Sequence, residues 1–418
     1  MSLLVIALVL IALLGAPLFI VLGAGGIVAS LATGLEPDLL IIEMNRLAAT
    51  PSMIAIPLFV LAGVTMSSGG APQRLVAFYR AGFGWLPGGL AIVSLTACAF
   101  FTMFSGASGV TILALGGLLY PILRQEHYRE NFSLGLLTTS GSLGLLFPPS
   151  LAILVYGIVA DVAIDQLFLA GLVPGLLLLV MLSLYSIAQG RRFPVPRHAF
   201  CWRQLWRTAR ASLWDLLLPV FLVGGILGGF VSITEAAAFT ASYVLFVECV
   251  VYREISLQKQ LFGILVESCV LFGGLLAILL IALGLTNILV DAQVPMRLLE
   301  AIRPLVDSPL QFLLLLNLFL LIVGAVMDIF SAIVVVAPLV APLAAQYGIH
   351  PVHLGIVFLA NLEIGYCTPP VGINLFIASQ RFGKPVLSLF RATLPFLFIM
   401  LIWLLLITYI PGLSLWWQ

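Results

Sequence analysis

Apolar runs follow one another along almost the whole chain, parted by short stretches that carry glycine, proline or a few polar residues. Within a run the apolar residues do not keep to one face. A helix that is hydrophobic all round lies inside a large core or in lipid. The pattern predicts two spans at 2–14 and 16–34, an amphipathic piece at 37–48, a third span at 52–69 and an arm at 72–86. The same order returns at 213–230, 233–251, 254–266, 268–290 and 293–306. Two pairs of apolar segments come next, at 89–104 and 109–123, then at 310–326 and 332–344. They are too short to cross about 30 Å of hydrocarbon at about 1.5 Å per residue. Each pair is therefore expected to form a re-entrant hairpin, with tips SGAS (Ser105–Ser108) and MDIFS (Met327–Ser331). Behind each hairpin stand a helix interrupted by Pro-Pro and a last span.

Prolines expose a repeat, because each one disturbs a helix wherever it falls. Pro121 pairs with Pro342, Pro148 and Pro149 with Pro369 and Pro370, Pro174 with Pro395, and Gly144 with Gly365, all 221 residues apart. Pro72 and Arg74 pair with Pro295 and Arg297 at a spacing of 223. The chain thus divides into a first unit, 1–190, a basic connector, 191–211, and a second unit, 212–418. In the first unit a scaffold (1–70) precedes an arm (72–86) and a hairpin with broken helix (89–190). In the second the same parts fall at 212–290, 293–306 and 310–418. Five crossings per unit is an odd number, so the two units are expected to be inverted relative to each other. With the connector on the cytoplasmic side, 15 of the 18 basic residues fall inside and only Arg46, Arg297 and Arg303 outside, as the positive-inside bias requires. Both termini then lie outside.

Composition narrows the class. Only 8% of the 418 residues are charged and 62% are hydrophobic, where a soluble domain carries about 25% charged residues. A soluble enzyme, a secreted disulfide scaffold and a disordered chain are excluded. The net charge of +1 gives no signal for nucleic acid. The five cysteines form no CxxC pair, so neither disulfides nor a metal site other than sodium is expected. The first residues lack a basic n-region and read as a first transmembrane helix, not a signal peptide. The connector reads as an interfacial helix anchored by Trp202, Trp206 and arginines.

Inverted repeats with broken helices are the construction of secondary transporters, whose substrate and coupling ions sit near the bilayer midplane. Pro148 and Pro149 have no N–H for the carbonyls of Gly144 and Leu145, nor do Pro369 and Pro370 for those of Gly365 and Tyr366. Freed carbonyls in mid-membrane suit a hard alkali cation, with hydroxyls from Ser142 and Thr368 and a carboxylate from Asp328 as further oxygens. The blander reading is a kink satisfied by neighbouring helices or water. Helices starting after Ser108 and Ser331 point unpaired N–H groups at whatever lies between the tips, which suits a carboxylate. Ser105, Ser108, Asp328 and Ser331 are accordingly the candidate substrate contacts, although the serines could equally be caps or packing residues. Glu235 and Glu363 are intramembrane acids that could carry a proton or simply be hydrogen-bonded in the bundle. GASG (Gly106–Gly109) is also similar to the nucleophile motif of rhomboid intramembrane proteases, which need a histidine base. His127, His198, His350 and His353 are all expected at loops or helix starts, so no enzymatic activity is expected.

Taken together, the motifs resemble the large membrane subunit of tripartite ATP-independent periplasmic (TRAP) transporters. The resemblance is carried by IAIPLFVLAGVTM (Ile54–Met66), SGASG, GSLGLLFPPSLAILVYG (Gly141–Gly157), FLAGLVPG, ITEAAA (Ile233–Ala238), MDIFSAIVVVAPLVAPLA and NLEIGYCTPPVGINLF (Asn361–Phe376). It implies an all-α polytopic protein of the elevator type in a bacterial inner membrane, importing organic acid anions by sodium symport. It also implies two partners, a small four-helix membrane subunit and an extracytoplasmic substrate-binding protein, and no cofactor beyond sodium. Carried over by motif, one sodium site uses Ser105, Gly144, Phe147 and Pro149, and a second Gly324, Gly365, Thr368 and Val371. The first tip reads GASGVT where many members carry a pattern like GSSSAT, so it has fewer hydroxyls. A stand-alone, proton-coupled carboxylate transporter is the alternative.

Overall fold

The computed structural model describes residues 16–34, 38, 41–42, 44–45, 50, 52–192, 199–256, 258–294, 296–297, 300, 306 and 308–418. The expected first span, His198, Arg46, Arg303 and most of 37–48 and 293–306 lie outside these. Among the described residues the regular structure is all helix, with no strand. Among the described residues six helices are long and apolar enough to cross a membrane, and up to nine spans result if each bent pair counts as one.

The first unit contributes α1 (Leu18–Thr33), α2 (Ser52–Ser68) and an arm, α3 (Ala71–Phe83), bent by 71° from α2. Its hairpin is α4 (Gly89–Ser105) followed by α5 (Ser108–Thr111), a π turn (Ile112–Gly116) and α6 (Gly117–Gln125). The broken helix is α7 (Glu130–Ser140), a 3-10 turn (Leu143–Leu146) and α8 (Leu151–Val159), and the last span is α9 (Ile164–Arg192). The connector helix α10 (Trp202–Ala211) leads into α11 (Leu213–Leu227) and α12 (Ile233–Phe246), which continues through a π turn (Val247–Val251). Then come α13 (Leu261–Asp291), hairpin helices α14 (Pro309–Val326) and α15 (Ile329–Gln346), broken-helix pieces α16 (Pro351–Gly365) and α17 (Ile373–Phe382), and α18 (Val386–Tyr409).

Helix ends recur at the proline spacing: Gly89 with Leu310, one residue into α14, Ser105 with Val326, Ser108 with Ile329, Gln125 with Gln346, and Glu130 with Pro351. Two details differ from the sequence pattern. The arms of the second hairpin are each 18 residues long, about 27 Å, so shortness alone does not make them re-entrant. The expected amphipathic piece at 254–266 does not form a helix of its own. No proline interrupts 261–291, and α13 runs through that stretch as one 31-residue helix.

The two hairpin tips turn by different chemistry. Gly106 closes α4 in the left-handed region (φ 64°) with its N–H on the Thr102 carbonyl, the usual glycine stop. The second tip has no glycine. Met327 and Asp328 are simply extended, and the Asp328 side chain caps α15 by accepting the N–H groups of Phe330 and Ser331, each at 3.1 Å.

Packing joins the parts crosswise. The first half of each broken helix lies on the first helix of its own hairpin: the 3-10 turn on α4, and α16 on α14. The second half lies on the returning helix of the other hairpin: α8 on α15, and α17 on the π turn at Ile112–Gly116. Of the largest fully buried side chains, Tyr156 and Phe358 lie in the broken helices, and Phe168, Phe396 and Trp403 in the last spans α9 and α18 packed beside them. Between helices in lipid such side chains hold by close van der Waals packing, not by leaving water. The Trp403 indole N–H also reaches the Pro174 carbonyl at 2.9 Å. Lys384, just past α17, pairs with Glu130 at 2.5 Å, and that carboxylate holds its ammonium above the usual lysine range.

Helices α1, α2, α12 and α13 pack on one another as a second body, and one arginine fastens the arm to it. Arg74 of α3 grips both carboxylate oxygens of Asp215 at 2.7 and 3.0 Å, bonds Glu248, reaches Glu254 at 2.6 Å and stacks 3.7 Å over the Tyr252 ring. Gly69 and Gly70 let the backbone press on the Glu248 and Glu254 carboxylates, which a Cβ at either position would displace.

Candidate functional site

Each Pro-Pro break abuts the tip region of its own hairpin through a glycine. Gly365 lies so close to Gly324 that a Cβ on it would stand 2.6 Å from the Gly324 Cα. The chain beyond the break then ties itself to the same turn, with the N–H groups of Val371 and Gly372 donating to the Ala325 carbonyl at 3.1 and 3.0 Å. In the first unit Gly144 is equally crowded by the backbone of Ala99 and Met103 and by Thr102. Gly324, Gly365, Thr368 and Val371 are thus gathered at one turn, and Gly144, Phe147 and Pro149 at another. Ser105 sits at the far end of α4, its hydroxyl 3.4 Å from the Ala107 carbonyl.

Proline does not leave all four expected carbonyls bare. Gly144 accepts from the Phe147 N–H at 3.1 Å and Gly365 from the Thr368 N–H at 2.9 Å, while Tyr366 accepts from the Asn374 N–H at 3.1 Å. These are tight turns replacing lost helical bonds. A carbonyl oxygen has two lone pairs, so each keeps one for a cation. The hydroxyls of Ser142 and Thr368 donate back to the carbonyls of Thr139 and Ile364 at 3.2 and 2.9 Å. Their oxygens likewise retain lone pairs. The first break is buried throughout except for Phe147, whereas Pro369, Pro370 and Val371 are exposed.

The tips differ in what they offer an anion. At the second tip every N–H from Ile329 to Ser331 is taken: Ile329 donates to the Tyr366 hydroxyl, and Phe330 and Ser331 donate to Asp328, which the Ser331 hydroxyl also bonds. An acidic side chain at a helix start also offsets the positive end of the helix dipole. The unpaired donors expected there are therefore occupied by the protein itself. At the first tip Ala107 occupies the N-cap and makes no side-chain bond, and Ser108 is buried. No hydrogen bond or ion pair joins the two tips among the described residues.

Several contributors were invisible to the motif reading. Thr102 bonds Thr111 at 2.7 Å and the Gly141 carbonyl at 2.8 Å, sewing the first hairpin to its broken helix. Tyr366 reaches across to the second tip. Gly63, in α2, lies against the tip of the first hairpin, where a Cβ would stand 2.8 Å from the Ser105 Cα. The sequence offers only hints of these, a polar residue inside an apolar motif or a glycine inside a helix.

The two intramembrane acids part company. Glu235 forms a capping box with Ser232, accepting its N–H at 2.7 Å and its hydroxyl at 2.8 Å, so it caps the start of α12 at an exposed position. Glu363 is fully buried, and neither carboxyl oxygen has a hydrogen-bond partner. No group of three or more metal-binding side chains occurs among the described residues.

Comparison with known proteins agrees with this architecture. The family "Tripartite ATP-independent periplasmic transporter, DctM component" matches residues 4–413. The C4-dicarboxylate TRAP transporter large permease protein DctM of Pseudomonas aeruginosa is 40% identical, over 87% of this chain and 85% of its own. The ectoine TRAP transporter large permease protein TeaC of Halomonas elongata is 31% identical, over 96% and 95%. Among solved structures the Alcanivorax borkumensis YdaH transporter aligns with a TM-score of 0.65 at 14% identity, covering 90% of this chain and 88% of its own, a likeness of fold alone. With the family matching nearly end to end and large permease proteins alike over most of their length, the chain belongs to the DctM component family of tripartite ATP-independent periplasmic transporters.

Proposed function

We propose that this chain is the large membrane subunit of a sodium-coupled importer of organic acid anions. A separate extracytoplasmic protein delivers the substrate, and a small four-helix membrane subunit completes the scaffold in a bacterial inner membrane. In this reading the two units are inverted, both termini lie outside, and the hairpins with their broken helices move as an elevator against α1, α2, α12 and α13. The docking of each Pro-Pro break on its own hairpin supports it most directly. It gathers backbone carbonyls and hydroxyl oxygens, the ligands a hard monovalent cation prefers, without a charged side chain. Sodium would bind at Ser105, Gly144, Phe147 and Pro149, and at Gly324, Gly365, Thr368 and Val371. The substrate carboxylate would bind at the uncapped first tip, at Ser105 and Ser108; of the expected contacts at the second tip, Ser331 is already bonded to Asp328 and the Asp328 carboxylate would repel an anion. The names of the relatives span C4-dicarboxylates and ectoine, so the class of substrate rests on the family and its selection on the binding protein.

A ligand bound only by the folded state stabilises it by about 2.7 kcal/mol at a hundred times its Kd. The chain purified in detergent is therefore expected to unfold at a higher temperature in sodium chloride than in potassium chloride of equal ionic strength. The Thr368→Ala chain is expected to lose part of that rise. Equal melting in both salts, repeated with the small subunit present, would remove sodium from the proposal.

Glu363 keeps a second reading open, a stand-alone proton-coupled carboxylate transporter. A buried carboxyl without a partner is a place where a proton can ride. Uptake driven by a pH gradient without any binding protein, and abolished in Glu363→Gln, would favour it. Sodium-driven uptake retained in that variant would leave the carboxyl a packing residue.

A further inference from the structure

The connector helix α10 buries none of its side chains, and Trp202 and Trp206 are 69% and 55% exposed. Aromatic rings of this kind settle at the level of lipid headgroups. Six arginines stand between 191 and 210, and no acidic residue occurs from 166 to 214. Leu205 of α10 packs toward the arm, 3.8 Å from where a Cβ on Gly82 would stand, and Gln204, Arg207 and Thr208, on the face turned away from the tryptophans, line the space between the two helices. Between α10, the arm α3 and the returning hairpin helix α6 lies a cavity of about 540 Å³. Its polar wall is Gln73, Arg80, Gln204 and Arg207, and Leu118 and Ile122 of α6 form an apolar wall. Arg80 is already bonded to Glu126. Arg207 is exposed, and no ion pair to it is found among the described residues.

A cavity with a cationic, hydrogen-bonding wall and an apolar wall, beside an interfacial helix, has the two-sided chemistry of a phospholipid. We infer that it binds one anionic phospholipid: the phosphate lies at Arg207 and Gln204, and an acyl chain runs along Leu118 and Ile122. The occupant is a lipid and not a free phosphate because half of the cavity has nothing to offer a phosphate. It is an anionic lipid because the connector carries cations with no acids to neutralise them. The lipid touches the connector, the arm and a hairpin helix at once.

The test is the dissociation constant for phosphatidylglycerol, measured on the detergent-purified chain by native mass spectrometry, with phosphatidylcholine as the zwitterionic control. Arg207→Gln is expected to weaken phosphatidylglycerol about fivefold, since one basic group near a membrane surface contributes about that factor. Gln204→Glu, on the same exposed face, is expected to weaken it at least as much. Arg203→Gln, which does not line the cavity, is expected to bind as the unaltered chain does. These positions are on the surface, so folding is preserved. If Arg203→Gln weakens binding as much as Arg207→Gln, the attraction is a diffuse one to the whole connector, and the site is overturned. Equal affinity for phosphatidylcholine, or displacement of the lipid by glycerol phosphate at equal concentration, overturns it as well.

Discussion

A methyl group is enough to probe the turn at which Gly324 and Gly365 meet, because a Cβ on Gly365 would stand 2.6 Å from the Gly324 Cα. Gly365→Ala forces the two helices apart at a position enclosed on all sides. Overpacking of this kind costs about 1–3 kcal/mol, so the variant is expected to melt lower in detergent and to lose its sodium response together with its fit. A variant that melts as the unaltered chain does would mean the two helices are not held so tightly. Tyr366 gives a gentler probe. Tyr366→Phe removes the acceptor of the Ile329 N–H inside a buried turn, a loss of about 1–3 kcal/mol, visible as a lower melting temperature. Gly365 stands out in the sequence through its spacing from Gly144 and its place before Pro-Pro. The bond from Ile329 to Tyr366 spans 37 positions, and no local pattern announces it.

Among the elements, the turn at Gly106 and the breaks at Pro148-Pro149 and Pro369-Pro370 are the most legible, because glycine and proline act on the backbone of their own neighbourhood whatever the tertiary context. The starts of returning helices are less so: α15 begins at Ile329, three residues before the expected 332, because Asp328 supplies a cap that lengthens it. The contact of the first hairpin with α2 is not legible at all. Gly63 looks like any small residue in a membrane helix until α4 is laid beside it. If the first hairpin moves against α2, a larger side chain at this point obstructs it. Gly63→Val is therefore expected to reduce uptake in vesicles more than tenfold, by analogy with a loss of about 1–3 kcal/mol or more in a packed contact. Unchanged uptake would place the sliding surface elsewhere.

For the whole molecule, the cluster around Arg74 joins the first unit to the second across 141 to 180 positions of sequence. Sequence reading registered Arg74 only as a member of a repeated pair, since the acids that meet it are scattered over Asp215, Glu248 and Glu254. Asp215 and Glu248 are nearly inaccessible, while Glu254 is partly exposed and screened accordingly. Removing one partner of a buried ion pair costs about 3–5 kcal/mol. Arg74→Met is expected to destabilise the chain by that order, and Asp215→Asn in the same chain to return part of it. If the double variant melts no higher than the single one, the arginine acts by filling space and not by balancing charge.

The difference between the two tips bears on what a cargo must carry. One helix start is already served by its own aspartate, so it asks nothing of a guest, while the other leaves its amides without a side-chain cap. On the proposed reading a single negative group on the cargo answers the one helix start left open. The pole that seats it recognises a charge and not the rest of the molecule, and the choice among anions falls to whatever delivers them.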